Sequence, residues 1–124
     1  MVLVDTSIWV DHFRHPVALL EDLLNSGEVV THPFVIGELA CGNLRNRTEI
    51  LDLLAALPAA KVASHSETLH LVEVRTLHGK GIGWVDLHIL ASALLSQTSL
   101  WTRDKKLQAA AHALGISGKE CANR

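Results

Sequence analysis

Three carboxylates in this sequence lie in apolar surroundings, where an ionised side chain is costly. Asp5 occurs in VLVDTSIWV, Glu38 in FVIGELACG and Asp86 in GWVDLHILASALL. Removing an ionised carboxylate from water costs several kcal/mol unless a positive charge or hydrogen bonds compensate it. A compensating cation is therefore expected near these three side chains.

A fourth acid, Asp104, follows the run SLWT in the same way that Asp5 follows the run VLV. If both runs are parallel strands, their carboxyl ends meet at one edge of a sheet, which is where open α/β sheets bind ligands. Glu38 and Asp86 fall near the starts of two helices that could face the same edge. The purely structural alternative is that Asp5 and Asp104 only cap the helices that follow them.

Four carboxylates gathered at one edge would repel one another unless a hard divalent cation such as Mg²⁺ or Mn²⁺ lies among them. Zinc would favour histidine or cysteine ligands, and the sequence contains no HExxH motif. Basic residues near the four acid segments could position phosphate groups: Arg14, Arg45, Arg47, Lys80, Arg103, Lys105 and Lys106. Acids that bind a metal, with basic residues around them, form the arrangement needed to cleave a phosphodiester.

Short strand-like runs alternate with helical runs, which predicts an α/β fold with a mainly parallel sheet. Strands are expected at residues 2–5, 28–31, 61–63 and 99–102, so the sheet should have at least four. Helices are expected after Asp5, from Pro33, from Thr48 and at residues 19–24, 66–78, 84–95 and 105–114. The segment 84–95 is apolar on nearly every side and should be a buried helix.

Length and composition exclude several classes of protein. The 124 residues, 48% of them apolar, predict a single folded domain over residues 1–124, and no apolar run approaches the roughly 20 residues of a membrane span. The start of the chain does not resemble a signal peptide, and the net charge of −2 excludes binding to nucleic acid through a global basic field. Cys41 and Cys121 form no CxxC pair, which favours a reducing cytoplasm, and Cys41 is expected in the core.

The four acid segments resemble the PIN-domain ribonucleases, most closely the VapC toxins of bacterial VapBC toxin–antitoxin pairs. The resemblance is carried by VDTSIWVDHF, HPFVIGELACGNLR, GIGWVDLHILASALL and LWTRDKKL, and it extends over nearly the whole chain. It implies a PIN-like three-layer sandwich in which helices flank a central, mainly parallel sheet. It also implies an endoribonuclease that depends on Mg²⁺ or Mn²⁺.

The same resemblance implies roles for individual residues and partners. The metal-binding acids would be Asp5, Glu38, Asp86 and Asp104. Hydroxyl contacts to metal-bound waters or to the phosphate would come from Thr6, Ser7 and Thr102. From the charges beside the acid segments, rather than from the resemblance, RNA is expected to be held by Arg45, Arg47, Lys80, Arg103, Lys105 and Lys106. Our hypothesis for the mechanism is that a water activated by one or two metal ions attacks the phosphorus in line and leaves a 5′-phosphate and a 3′-hydroxyl. The implied partners are a VapB antitoxin and a second copy of the chain, with a heterotetramer or larger assembly when the antitoxin is bound.

Two other functions stay open from the residues alone. A phosphatase of the haloacid dehalogenase type also begins with a strand and an Asp, but it normally carries a second acid two residues later, where this chain has Ser7. A non-catalytic module that binds RNA or an antitoxin is the other alternative. Trp9, Trp84 and Trp101 are expected to pack in the core rather than to stack on bases. His88 should lie on a different face of its helix from Asp86.

Overall fold

The sheet of the protein consists of three short parallel strands in the order β2-β1-β3. The computed structural model describes residues 1–118, and in this range the strands are β1 (Val2–Val4), β2 (Val29–Val30) and β3 (Ser99–Trp101). Leu3 pairs with Val30 on one side and with Leu100 on the other. Nearly every strand residue is buried, as expected when helices cover both faces of a parallel sheet.

Seven helices in the described part of the chain flank this sheet, which confirms the predicted α/β class. They are α1 (Thr6–Arg14), α2 (Ala18–Asn25), α3 (Pro33–Ala40), α4 (Arg47–Ala55), α5 (His65–Val74), α6 (Trp84–Ser96) and α7 (Lys105–Ala113). At the starts of four of them, a capping side chain accepts a hydrogen bond from a backbone N–H of the first turn; the capping residues are Asp5, His32, Ser64 and Asp104. None of the helices within residues 1–118 has both the length and the apolar content required to cross a bilayer.

The middle of α6 is the most buried helical segment. Residues 87–93 are all buried, so the prediction of a buried helix is confirmed there. Trp9 and Trp101 are also buried as predicted, but Trp84 is 39% exposed, so its placement in the core was wrong. Trp84 begins α6 at the rim of the fold, where its ring packs against His65 and His88 instead.

The fourth strand predicted at residues 61–63 is wrong. Thr31 and Ala59 form a single parallel bridge, and the pairing goes no further along this segment. The backbone N–H groups of Lys61 and Ala63 donate instead to the hydroxyls of Ser96 and Ser92 on α6. Because those hydroxyls satisfy the backbone donors, the segment needs no strand neighbour.

Two further predictions need correction. The helix expected at residues 66–78 ends at Val74, because Thr76 adopts a left-handed conformation with φ 53° and Leu77 donates its N–H back to the carbonyl of Val72. Cys41 is exposed at the end of α3 rather than buried in the core. Cys121 lies outside the described residues.

Candidate active site

Asp5 is the buried carboxylate of the candidate site, with only 5% of its surface exposed. It follows β1 and caps α1, and its N–H donates to the carbonyl of Trp101 on the neighbouring strand. Its Oδ2 accepts hydrogen bonds from the hydroxyl of Ser7 at 2.9 Å and from that of Thr102 at 2.8 Å. These bonds fix the carboxylate at the carboxyl edge of the sheet and partly offset the cost of its burial.

Asp104 is tied to the same network from the end of β3. Its N–H donates to the hydroxyl of Thr102 at 3.1 Å, and the N–H of Arg103 donates to that of Ser7 at 3.0 Å. Oδ1 of Asp104 accepts a hydrogen bond from the N–H of Leu107, so this oxygen caps α7, as the structural alternative predicted. Oδ2 has no hydrogen-bond partner within residues 1–118, which leaves it available to a ligand.

Glu38 approaches the site from α3. Its Oε1 accepts a hydrogen bond from the hydroxyl of Thr6 at 2.7 Å, which joins α3 to the first turn of α1 beside Asp5. The apolar sequence around Glu38 suggested burial, but the side chain is exposed. Val35 and Leu39 form the buried side of α3, and Glu38 lies on the other side.

Asp86 lies in the first turn of α6, as predicted, and is half-buried. Burial first, and then the negative charges of Asp5, Asp104 and Glu38, together raise the pKa of this carboxyl to about 6. Asp5, Glu38 and Asp104 therefore all lie within electrostatic reach of Asp86. The repulsion from the other three acids therefore makes the ionised form of Asp86 less favourable.

The donor set of these four residues suits a hard divalent cation, since it consists of carboxylate and hydroxyl oxygens. The ion pair recorded within residues 1–118 joins Arg103 to Asp11, so none of the four acids has a basic partner there. Within the same range, no three Asp, Glu, His or Cys side chains are grouped tightly enough to hold a metal as they lie. Glu38 and Asp104 are exposed, and among the described residues each uses only one carboxylate oxygen in a hydrogen bond, so the other oxygen of each is open to a cation.

The basic residues predicted to contact RNA do not form one group. Arg45 borders a cleft of about 820 Å³ together with Arg14 and Glu38. Lys80 and Lys106 line a different pocket, which also includes Arg75, a residue that the sequence reasoning missed because it is far from every acid segment. The remaining three are exposed outside these two groups: Arg47, which donates to the carbonyl of Ala40, Arg103, which pairs with Asp11, and Lys105 in the first turn of α7.

A buried histidine that the sequence reasoning also missed links the two helices that carry Glu38 and Asp86. His32 is fully buried, and its Nδ1 accepts the N–H of Phe34 at the start of α3. Its Nε2 lies 2.9 Å from the hydroxyl of Ser92 on α6, and that hydroxyl donates to the carbonyl of His88. The ring is therefore neutral with its proton on Nε2, and its pKa is lowered to about 4 by burial and by His88. His88, predicted to lie on a different face of α6 from Asp86, is buried, and its Nδ1 lies 3.2 Å from the hydroxyl of Thr68 on α5.

Replacing His32 with Asn should lower stability at pH 7 and flatten its pH dependence. Asn still caps α3 but loses the bond to Ser92, which costs about 1–3 kcal/mol. In the wild type the unfolded ring (pKa 6.5) binds a proton before the folded ring (about 4), so stability falls as the pH drops between these values. That fall amounts to about 3 kcal/mol and is absent from the variant. Urea unfolding at pH 4 and pH 7 measures both effects, and parallel pH profiles would contradict the role of His32.

The fold and the acid cluster together define the class of protein. Residues 2–113 match the model of the PIN domain family, so the chain belongs to that family. Among individual relatives, it is 48% identical over 118 residues to Ribonuclease VapC32 of Mycobacterium tuberculosis, in strains CDC 1551 / Oshkosh and ATCC 25618 / H37Rv. The alignment covers 94% of this chain and 95% of that relative. The resemblance to PIN-domain VapC ribonucleases is thereby confirmed.

Proposed function

We propose that the chain is a divalent-cation-dependent endoribonuclease and the toxin of a VapBC pair, acting in the cytoplasm as a single PIN domain over residues 1–124. The name of its relative, a VapC ribonuclease, supports RNA as the substrate. The observation that carries the proposal is the grouping of acids at the carboxyl edge of the sheet, where Thr102 bonds both Asp5 and Asp104 and Thr6 bonds Glu38. The raised pKa of Asp86, to which the other three carboxylates contribute, supports it. So much negative charge without a basic partner in the described chain favours a bound cation.

Asp5, Glu38, Asp86 and Asp104 would hold the cation, which is Mg²⁺ or Mn²⁺ by the hardness of its ligands. When bound, such an ion offsets the charge of the acids, polarises the phosphate and lowers the pKa of a water molecule. Hydrolysis held in place by these residues would join the hydroxyl of a water molecule to phosphorus, break the bond to the 3′ oxygen and leave that oxygen with a proton. The products are a 5′-phosphate and a 3′-hydroxyl.

Thr6, Ser7 and Thr102 orient the acids in this proposal. Thr6 donates to Glu38, and the hydroxyls of Ser7 and Thr102 both donate to Asp5. Ser7 occupies the position where a haloacid dehalogenase phosphatase carries its second acid, and here it serves as a hydrogen-bond donor. With the carboxylates held in this way, less freedom is lost when a cation and a substrate phosphate bind.

The cleft bordered by Arg14, Glu38 and Arg45 supports an approach of the RNA from the side of α3. Both guanidinium groups would contact phosphates near the acids, where positive charge also offsets the repulsion between the acids and the substrate. In this proposal Arg103 is displaced from its ion pair with Asp11 to contact the RNA, since both side chains of that pair are partly exposed to water. Lys105 and Arg47 would contribute charge from further away.

The cognate partner would be a VapB antitoxin, bound to a homodimer of this chain in a heterotetramer or larger assembly. An apolar groove of about 310 Å³ between α1, α2 and α4 supports a protein partner of this kind. Its lining includes Trp9, Phe13 and Leu53, and Leu53 is 63% exposed. A partner segment with apolar side chains would cover this surface.

Removal of divalent cations is the direct test of the proposed activity. Purified protein incubated with a panel of structured RNAs should cleave them in Mg²⁺ or Mn²⁺, and an excess of EDTA should reduce the rate by at least about 100-fold. Mapping the ends should find 5′-phosphates and 3′-hydroxyls. Cleavage that persists in EDTA, or products with a 2′,3′-cyclic phosphate, would contradict the mechanism. Turnover of small phosphate esters would favour a phosphatase. Binding of RNA without cleavage would favour a non-catalytic module.

A further inference from the structure

A second pocket, separate from the cleft at Glu38, lies between the end of α5, the loop before α6 and one side of α7. Its volume is about 360 Å³, at the lower end of the roughly 300–1,000 Å³ typical of small-ligand sites. Three cationic side chains line it: Arg75, Lys80 and Lys106. We call this the α5–α7 pocket.

The positive charge of the α5–α7 pocket is not neutralised by the protein. No acidic side chain is part of its lining. Neither a hydrogen bond nor an ion pair within residues 1–118 engages the charged groups of Arg75, Lys80 or Lys106. Three unpaired cations around one cavity attract an anion with several oxygens, such as a phosphate.

The ammonium group of Lys106 lies close to Gly81 in the loop before α6. A Cβ atom built on Gly81 would lie 2.6 Å from Nζ of Lys106, closer than such atoms approach. Gly81 also has φ 75°, a conformation that favours glycine. The loop therefore leaves the ammonium group room to lie beside the pocket.

The rest of the lining of the α5–α7 pocket is apolar. It consists of Leu77, Ile82, Leu114 and three alanines of α7. A free inorganic anion would gain nothing from these groups, whereas a nucleotide would place its base or ribose against them. A ligand with one phosphate and one flat, weakly polar portion therefore matches both parts of the pocket.

We propose that the α5–α7 pocket binds one nucleotide of single-stranded RNA, with its phosphate on the three cations and its base against the apolar wall. This inference rests on the proposed function and adds a substrate subsite to it. Lys106 follows Asp104 by two residues in the first turn of α7, and Lys80 lies on the loop that leads into the helix of Asp86. A strand whose scissile phosphate reaches the acids would therefore pass this pocket with a neighbouring nucleotide.

Binding to RNA without divalent cations tests the charged part of the pocket. The probe is a fluorescein-labelled single-stranded RNA of mixed sequence, bound to the full chain carrying Asp5→Asn in EDTA. Each of Arg75→Gln, Lys80→Gln and Lys106→Gln should weaken binding by about threefold or more and lower the slope of log affinity against log salt by about 1. Lys61→Gln, at an exposed lysine that does not line the pocket, is the control and should bind as the parent does.

Lys105→Gln distinguishes a pocket from a diffuse basic surface. Lys105 precedes Lys106 in the same helical turn and carries the same charge, but it does not line the α5–α7 pocket. The Lys106 variant should therefore lose clearly more affinity than the Lys105 variant. Equal losses in the two variants would overturn the inference.

Filling the pocket without changing its charge tests the apolar part. Ala113→Phe places a ring in the cavity from an exposed position at the end of α7, where it should not disturb folding. Affinity for RNA should fall about fivefold or more with an unchanged salt slope. Binding equal to that of the parent would overturn the proposed contact with a base. A poly-glutamate peptide of matched charge serves as a second probe. If it binds as tightly as the RNA and loses the same affinity in Ala113→Phe, the proposed contact with a base is wrong and the pocket binds acidic peptides.

Cleavage measured in parallel, with Asp5 intact, separates this inference from the proposed function. If the chain cleaves RNA while the pocket variants bind and cleave like the wild type, the subsite is wrong and the nuclease stands. If the pocket variants weaken RNA binding but no variant or wild type cleaves in Mg²⁺ or Mn²⁺, the nuclease is wrong and the subsite stands.

Discussion

Asp5→Asn is expected to reduce RNA cleavage by roughly 10²–10³-fold or more while leaving the chain folded. The substitution removes one negative charge from the four acids at the point where the carboxylate is most buried, so cation binding and transition-state stabilisation are both weakened. The fold should persist, because the carbonyl oxygen of Asn still accepts a hydrogen bond from Ser7 or Thr102. The measurement is the initial rate on one labelled RNA in Mg²⁺, with circular dichroism to verify folding.

The matched control for this substitution is Asp22→Asn. Asp22 is an exposed acid of α2, so the change removes the same charge from the chain at a site remote from the cluster. Its cleavage rate should stay within about twofold of the wild type. A folded Asp5→Asn variant that cleaves at the rate of Asp22→Asn would exclude Asp5 from the reaction.

Local sequence is sufficient to predict where Asp5 and Asp104 lie, because each follows a short structural signal. An apolar run that ends in Asp is a strand followed by a helix cap, and both Asp5 and Asp104 occupy such a position. The neighbouring parallel strands then bring these two residues to the same edge of the sheet. The error in predicting a strand at residues 61–63 does not affect this placement, because Asp5 and Asp104 follow β1 and β3, which pair directly with each other.

Long-range contacts are the part that local sequence could not supply. His32 and Ser92 are 60 residues apart, and nothing near either position signals their hydrogen bond. The exposure of Glu38 depends on which side of α3 meets the core, and an almost wholly apolar helix does not specify that side. Arg75 reaches its pocket only because α5 ends earlier than predicted and the chain turns towards α7.

Asp86→Asn is expected to change stability and activity in opposite directions. In the folded chain the carboxyl has a pKa of about 6 against 3.8 without the surrounding protein, so the folded state holds more protons between these values. Stability therefore falls as the pH rises from about 4 to 6, and the loss is complete at pH 7. Each pH unit corresponds to about 1.4 kcal/mol, and solvent screening of this half-buried group reduces the total to about 1–2 kcal/mol.

Asn carries no charge, so the variant should escape this loss and be about 1 kcal/mol more stable than the wild type at pH 7 without divalent cations. The expected gain is smaller than the full loss in the wild type, because Asn gives up the favourable interaction of a carboxylate with the start of α6. Urea unfolding at pH 7 and pH 4 in EDTA measures the difference, which should disappear at pH 4. Asp52→Asn, an exposed acid of α4, is the control and should differ little from the wild type at either pH.

Mg²⁺ should reverse the order of stability, because an ion that binds only the folded chain raises its free energy of unfolding. The wild type gains this stabilisation, while the variant has lost one of the four carboxylates and should gain much less. The same variant should cleave RNA at least about 100-fold more slowly. An Asp86→Asn chain that is less stable than the wild type in EDTA at pH 7 would show that repulsion among the acids is not what the bound cation relieves. The excess of negative charge would then give no reason to place a metal at this edge of the sheet.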